Sequence, residues 1–316
     1  MKGAPYEQLW IHRLMLKDLV RGDAYRRALE AVITPDSVVL DMGTGSGILS
    51  FLAAQAGAKK VYAVEKTSIV RLTRELAECN DLLERVEILN SDILDIQLPS
   101  PLDILVSEWL GPFGIDENLL YPLLVTRDRW LKPGGKLLPE RVTAWMAPAY
   151  DPALDSDLFF WQSHPYGIDL QPIAKHMCDE IRYSQQHLGV EHLISPPKPM
   201  WITNLDTFSA QDAKLPFRCS LTFDISRQCR FNAAALWFDA EFPTGIFLAC
   251  GPGAPRTHWG TTVCPLERLY ELSAGNQVTI DFECELDEVP GRSFSNWTTS
   301  INGVLQERHD TRKSFH

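Results

Sequence analysis

The 316-residue chain has no apolar run of eighteen residues, and its first stretch, MKGAPYEQLWIHRLMLKDLVRG, carries charges throughout instead of a basic end followed by an apolar segment. These absences argue against membrane insertion and secretion. The seven cysteines form no CxxC pair and the eight histidines no HExxH, so neither a disulfide framework nor a metal site is expected. Reduced thiols in a cytoplasmic setting follow, with nuclear access open in a eukaryotic host. Basic charge is also in deficit, with 30 Lys and Arg against 41 Asp and Glu, a formal net charge of −11. That balance argues against a nucleic-acid backbone as the main partner, and it suits a basic substrate as well as plain solubility.

What is present falls into two textures. From Ser37, short apolar strands alternate with helical patterns: SVVLD, a glycine loop, ILSFLAAQAG, KVYAVE, a charged helix near 68–83, then VEILN. Strands at DILVSE (103–108) and GKLLP (135–139) follow, separated by a helix that stops at Pro133-Gly134-Gly135. This order predicts an α/β fold with a parallel, Rossmann-like sheet over 35–140, preceded by helices within 1–34. Beyond Pro139, alternating runs such as TAWMAPAY, RCSLTFDIS, AAALWFDAEF and VTIDFECEL predict an antiparallel β-domain over 141–316. An aromatic-rich, partly helical insertion interrupts it at about 152–185, and SPPKP (195–199) reads as a stiff connector.

Asp41-Met42-Gly43-Thr44-Gly45-Ser46-Gly47 ends an apolar strand and opens a helix, where glycine permits a tight turn and close backbone approach to a ligand. Ile48 stands where a dinucleotide fingerprint needs its third glycine, and no GK[ST] follows for a P-loop. Glu65 closes the second strand, where a carboxylate accepts hydrogen bonds from both hydroxyls of a ribose. Asp92 and Ile93, after the third strand, are placed to frame an adenine, Asp92 serving equally well as a capping residue. Gly43, Gly45, Asp41 and Glu65 in this order point to a nucleoside-bearing cofactor.

Ser107-Glu108-Trp109-Leu110-Gly111 follows the fourth strand, and Glu117 comes nine positions after Glu108. Two carboxylates sharing one crevice repel each other unless a cation lies between them, and a guanidinium offers a planar fork of donors that carboxylates match.

At this point the chain resembles the protein arginine methyltransferase family, through SEWLGPFGIDENL as the double-glutamate loop, VVLDMGTGSGILSFLAAQAGAKKVYAVE as the cofactor segment, Thr257-His258-Trp259 as the THW loop, IHRLMLKDLVR (11–21) as the cofactor-closing helix and FFWQSHPYGIDL as the start of a dimerisation arm. The resemblance implies S-adenosylmethionine as cofactor, a β-barrel second domain, a homodimer, and an arginine-containing protein or peptide as substrate. By residue, it implies that His12 and Arg21 approach the cofactor, Arg21 pairing its carboxylate, and that Glu108 and Glu117 clamp the substrate guanidinium. It also implies an Asp18–His258 pair and an arginine channel walled by Tyr6 and Trp259, and the departing proton has two routes, Glu117 or the His258–Asp18 pair. Met15 and Leu119 are similar to the pocket positions of asymmetrically dimethylating members. The chain departs from the family's YFxxY motif, with Lys2 at the first tyrosine, and has Leu94 in place of an adenine-contacting glutamate. A methyltransferase for a small guanidino metabolite and a non-catalytic cofactor-binding scaffold are the alternatives.

Overall fold

The computed structural model describes residues 7–183, 188–287 and 292–314. Two N-terminal helices, α1 (Leu9–Lys17) and α2 (Leu19–Val32), meet at Asp18, whose non-helical backbone (φ −76°, ψ 86°) breaks the helix and whose side chain accepts the Arg21 amide to cap α2. There follow β1 (Val38–Met42), α3 (Ile48–Gln55), β2 (Lys60–Glu65), α4 (Val70–Cys79), β3 (Val86–Asn90), β4 (Leu102–Ser107), α5 (Leu120–Trp130) and β5 (Leu131–Leu138). The strands form one parallel sheet in the order β3-β2-β1-β4-β5. The order reverses between β1 and β4, and at such a switch point the loops after the strands open a crevice for ligands. Near-continuous apolar runs such as VVLDM and KVYAVE suit strands covered on both faces, and both are almost wholly buried.

The second unit contains β6 (Arg141–Ala149), α6 (Pro152–Gln162), α7 (Gln171–Cys178), β7 (Arg182–Tyr183), β8 (Lys198–Asn204), β9 (Phe217–Asp224), β10 (Cys229–Phe242), β11 (Ile246–Ala249), β12 (Thr262–Leu272), β13 (Gln277–Leu286), β14 (Ser293–Ile301) and β15 (Val304–Asp310). One antiparallel sheet runs β7-β12-β10-β6-β8 with β11 on β10, and the other runs β15-β14-β13-β9. The connector expected over 195–199 is shorter than its prolines suggest, because β8 starts at Lys198. Pro199 is tolerated there because β8 is an edge strand. The insertion between β6 and β8 folds as α6 and α7, whose inner residues Leu154, Leu158, Ala174 and Cys178 pack in a small second core.

Helix α2 lies between the two units, packing on α3 and on β11. Its Tyr25 is fully buried, edge-on to Phe242 at 4.9 Å, and its hydroxyl donates to the Ser107 carbonyl at 3.1 Å. The loop after β4 makes a second joint. Trp109, Leu110, Phe113 and Ile115 are buried, and Phe113 inserts edge-on among Trp201 and Phe282 of the β-unit. No helix among the described residues is long and apolar enough to cross a membrane.

Candidate active site

The glycine loop is shaped from beneath by Asp41. Its fully buried carboxylate accepts the Thr44 hydroxyl at 2.6 Å and the Ser50 hydroxyl and amide at 2.8 and 3.0 Å. Burial pushes this carboxyl up to about 6 even against those hydrogen bonds. Asp41 therefore lies under the loop and not on the pocket wall, because the strand-end position that the sequence offers to a ligand is turned inward to the loop hydroxyls. Gly43, Gly45 and Gly47 all have positive φ (72°, 54° and 90°), and a Cβ on Gly47 would stand 2.4 Å from the Phe51 ring.

Above the loop is a cavity of about 780 Å³ whose walls include His12, Met15, Arg21, Gly43, Gly45, Glu65, Asp92, Ile93, Glu108 and Glu117. Glu65 accepts the Gly45 amide at 3.0 Å and the Thr67 amide at 2.8 Å, one on each oxygen. A carboxylate has about four lone-pair sites, so both oxygens retain capacity for a ribose diol. His12, buried on α1, lies over the loop, its Cε1 3.2 Å from where a Cβ on Gly45 would be. Asp92 spends one oxygen on the Leu94 amide at 3.0 Å, closing a turn with no helix after it to cap, and faces Lys66 at 3.7 Å with the other.

Arg21 and Glu108, expected to serve different ligands, pair with each other at 2.9 Å. Arg21 also donates to the Met15 carbonyl at 3.2 Å, while its buried Nε has no hydrogen-bond partner. The other Glu108 oxygen accepts the Leu110 amide at 3.1 Å. The expected Asp18–His258 pair is present: one Asp18 oxygen takes both the His258 ring nitrogen and its backbone amide at 2.8 Å. Burial raises the Asp18 carboxyl, but these bonds and the Arg21 amide outweigh it and hold it below its ordinary value.

Two residues fall off the wall. His258 sits behind the junction of α1 and α2, and Trp259 is buried, its indole N–H donating to the Leu110 carbonyl at 2.8 Å. The ring is drawn inward by Phe238, edge-on at 4.9 Å, so Trp259 braces the double-glutamate loop and forms no channel wall. Tyr6 lies outside the described residues. The far end of the cavity is lined by residues the sequence did not single out: Asn118, Tyr121, Lys214 and Asp287. Asn118 donates to the Asp287 carbonyl at 2.5 Å, and Lys214 lies over the Tyr121 ring at 4.1 Å. Only Asn118 had a local signal, its place beside Glu117.

The cavity volume is in the range for a nucleotide-sized ligand with room beside it. A strand-end carboxylate for a diol, an apolar Ile93 and the Arg21 guanidinium on the wall for an anionic group fit S-adenosylmethionine. Fold and site together define an S-adenosylmethionine-dependent methyltransferase. Residues 140–295 match the family model described as the arginine methyltransferase oligomerization subdomain, and residues 26–136 match that described as ribosomal protein L11 methyltransferase (PrmA). Protein arginine N-methyltransferase 6 of Danio rerio is 31% identical over 98% of this chain and 90% of its own length. Protein arginine N-methyltransferase 1 of Saccharomyces cerevisiae is 30% identical over 95% and 88%. Among solved structures, the Trypanosoma brucei PRMT1 enzyme-prozyme heterotetrameric complex with AdoHcy superposes with a TM-score of 0.84 at 27% identity, covering 97% of this chain and 98% of that one. Arabidopsis thaliana protein arginine methyltransferase 10 gives 0.82 at 26% identity, covering 97% and 99%. The chain belongs to the protein arginine N-methyltransferase family, and S-adenosylmethionine is its methyl donor.

Proposed function

We propose that this enzyme transfers a methyl group to a guanidinium nitrogen of arginine in protein substrates, with Glu108 and Glu117 as the clamp. The observation that carries the reading is that both carboxylates line the same cavity as the glycine loop and Glu65. Bound there, S-adenosylmethionine supplies an electrophilic methyl on a sulfonium. Gly43, Gly45, Glu65 and Ile93 hold the nucleoside, and Arg21 with His12 lies over its amino-acid end. Arg21 offsets the charge of Glu108, so the clamp survives burial of two carboxylates, and Glu117 faces the acceptor from the other end of the loop.

Alignment is the main contribution of the chain. Holding reactants in line recovers roughly 7–11 kcal/mol of barrier, against about 10²–10⁴-fold from a general base. The guanidinium, with a pKa above about 12, keeps its proton until transfer is under way. Glu117, on the cavity wall, is the acceptor for that proton, and His258 is not, being held off the wall by Asp18. A homodimer is part of this reading, supported by α6 and α7 and their loop, where Phe159 and Tyr166 are 73% and 96% exposed. The cytoplasm or nucleus is the proposed setting, supported by seven unpaired thiols.

The test is mass spectrometry of arginine-rich peptides incubated with methyl-labelled S-adenosylmethionine. Label on arginine is expected, falling about 10²-fold or more in Glu108→Gln while the cofactor Kd changes less than threefold, by analogy with the loss of one transition-state-aligning group. Full activity in Glu108→Gln would sink the clamp assignment.

A further inference from the structure

A second cleft, of about 200 Å³, opens on the opposite side of the double-glutamate loop, and its lining joins Phe113 and Asp116 of that loop, Glu180 after α7, Thr262 at the start of β12, and Ser293 and Ser295 of β14. It is separate from the cofactor cavity but shares its walls. Glu117 lines the cofactor cavity and Asp116, the preceding residue, lines the cleft. In the β-unit, Leu286 and Ser293 are directly paired across β13 and β14, the first lining the cavity and the second the cleft. Two unrelated elements thus each place neighbouring residues on the two sides.

The chemistry of the cleft is that of a cation acceptor. It carries two carboxylates and several hydroxyls, and no basic side chain among its described lining residues. Of the basic residues next to lining positions, Arg182 is ion-paired to Asp157, Arg292 to Asp287 and Arg312 to Glu285 and Asp310, and Lys313 is exposed. Thr262 is 1% exposed, and its Oγ1 has no hydrogen-bond partner, an oxygen kept out of bulk water at the cleft wall with nothing to bind. Asp116 uses one oxygen to accept the Phe113 amide at 3.1 Å, and burial pushes its carboxyl up to about 7. The other titratable groups facing it are Glu180 from the arm base and Cys284 of β13, and neither brings positive charge.

We propose that this cleft is a subsite for a second basic side chain of the same substrate, with Asp116 and the Thr262 hydroxyl as its principal contacts. The inference rests on the proposed function in assuming that a peptide arginine occupies the neighbouring cavity. An extended peptide advances about 3.3 Å per residue with side chains alternating, so a residue roughly two to four positions from the methylated arginine is the one in reach.

The experiment uses the full chain and pairs of fluorescent peptides that each contain one arginine and carry either lysine or glutamine at a single flanking position two to four residues away. Kd is read by anisotropy and labelled product in parallel. The expected result is a lysine preference of about tenfold at one spacing, cut below about threefold in Thr262→Val with the glutamine peptide bound as before, and growing as pH rises through about 7. Asp116→Asn, whose carboxamide oxygen still accepts the Phe113 amide, is the second variant and is expected to lose the preference too. Equal affinity for the two peptides, no binding of either, or a preference that survives in both variants overturns the subsite, the last assigning it to the general acidic field. A preference that behaves as expected without labelled arginine overturns the transfer reaction alone.

Discussion

Asp41 shows how a single side chain sets the shape of a ligand loop without touching the ligand. Three hydrogen bonds from Thr44 and Ser50 converge on one of its oxygens, while the other is buried without a partner. Its carboxyl stands at about 6 against an ordinary 3.8, so the folded state binds this proton more tightly than the unfolded chain does. Stability from this group is therefore complete below the unfolded value and is lost as pH rises through the folded one. Asp41→Asn keeps an acceptor for the hydroxyls and removes the titration. Chemical denaturation between about pH 4 and 6.5 should show the wild type losing up to about 3 kcal/mol that the variant does not lose. An identical pH slope in the two proteins would show that the carboxyl is not perturbed. Gly47 makes a sharper case, since a methyl there meets Phe51 and Thr73 in a left-handed backbone; Gly47→Ala is expected to abolish cofactor binding by calorimetry.

At the scale of elements, the joint between α1 and α2 does two tasks with one residue. Asp18 caps α2 through the Arg21 amide and fastens the joint to the β-unit through His258. Loss of the cap alone costs about 1 kcal/mol, so Asp18→Ala is expected to cost clearly more than that, and a double-mutant cycle with His258→Ala should return a coupling of about 0.5–3 kcal/mol. Additive effects would mean the pair is adventitious. The parallel sheet and the glycine loop were legible in the sequence, because apolar periodicity and ordered motifs are local signals; the Asp18–His258 pair, 240 positions apart, was expected only through the family resemblance. β14 and β15 were not legible: SFSNWTTSI and VLQERHD carry polar and charged residues that obscure their alternation, and only the pairing of β14 with β13 and of β15 with β14 gives them a register. Nor was the Arg21–Glu108 pair, whose members lie 87 positions apart and meet only because α2 crosses the end of β4. Trp259 was expected on a channel wall for lack of any sequence signal for Phe238 and the Leu110 carbonyl, which draw it inward.

In the molecule as a whole, the arm formed by α6 and α7 leaves large apolar side chains uncovered. Its inner face fills a small core shared with β6, β10 and β12, while Phe159, Tyr166 and Ile168 are exposed. Exposed aromatic side chains on a projecting helix pair are costly unless another surface covers them. On the proposed homodimer, replacing Phe159 and Tyr166 together by serine should halve the mass seen by light scattering and leave the thermal midpoint nearly unchanged; an unchanged mass would remove the arm from that proposed interface. The bond between His258 and Asp18 also has a meaning in time. The two residues are 240 positions apart, so on a ribosome Asp18 emerges about 12–48 s before its partner at 5–20 residues per second. The parallel sheet is complete long before then, yet the helix joint that carries His12 and Arg21 over the glycine loop has nothing to latch to. The order of synthesis thus makes closure of the site a late event, one that waits for most of the β-unit.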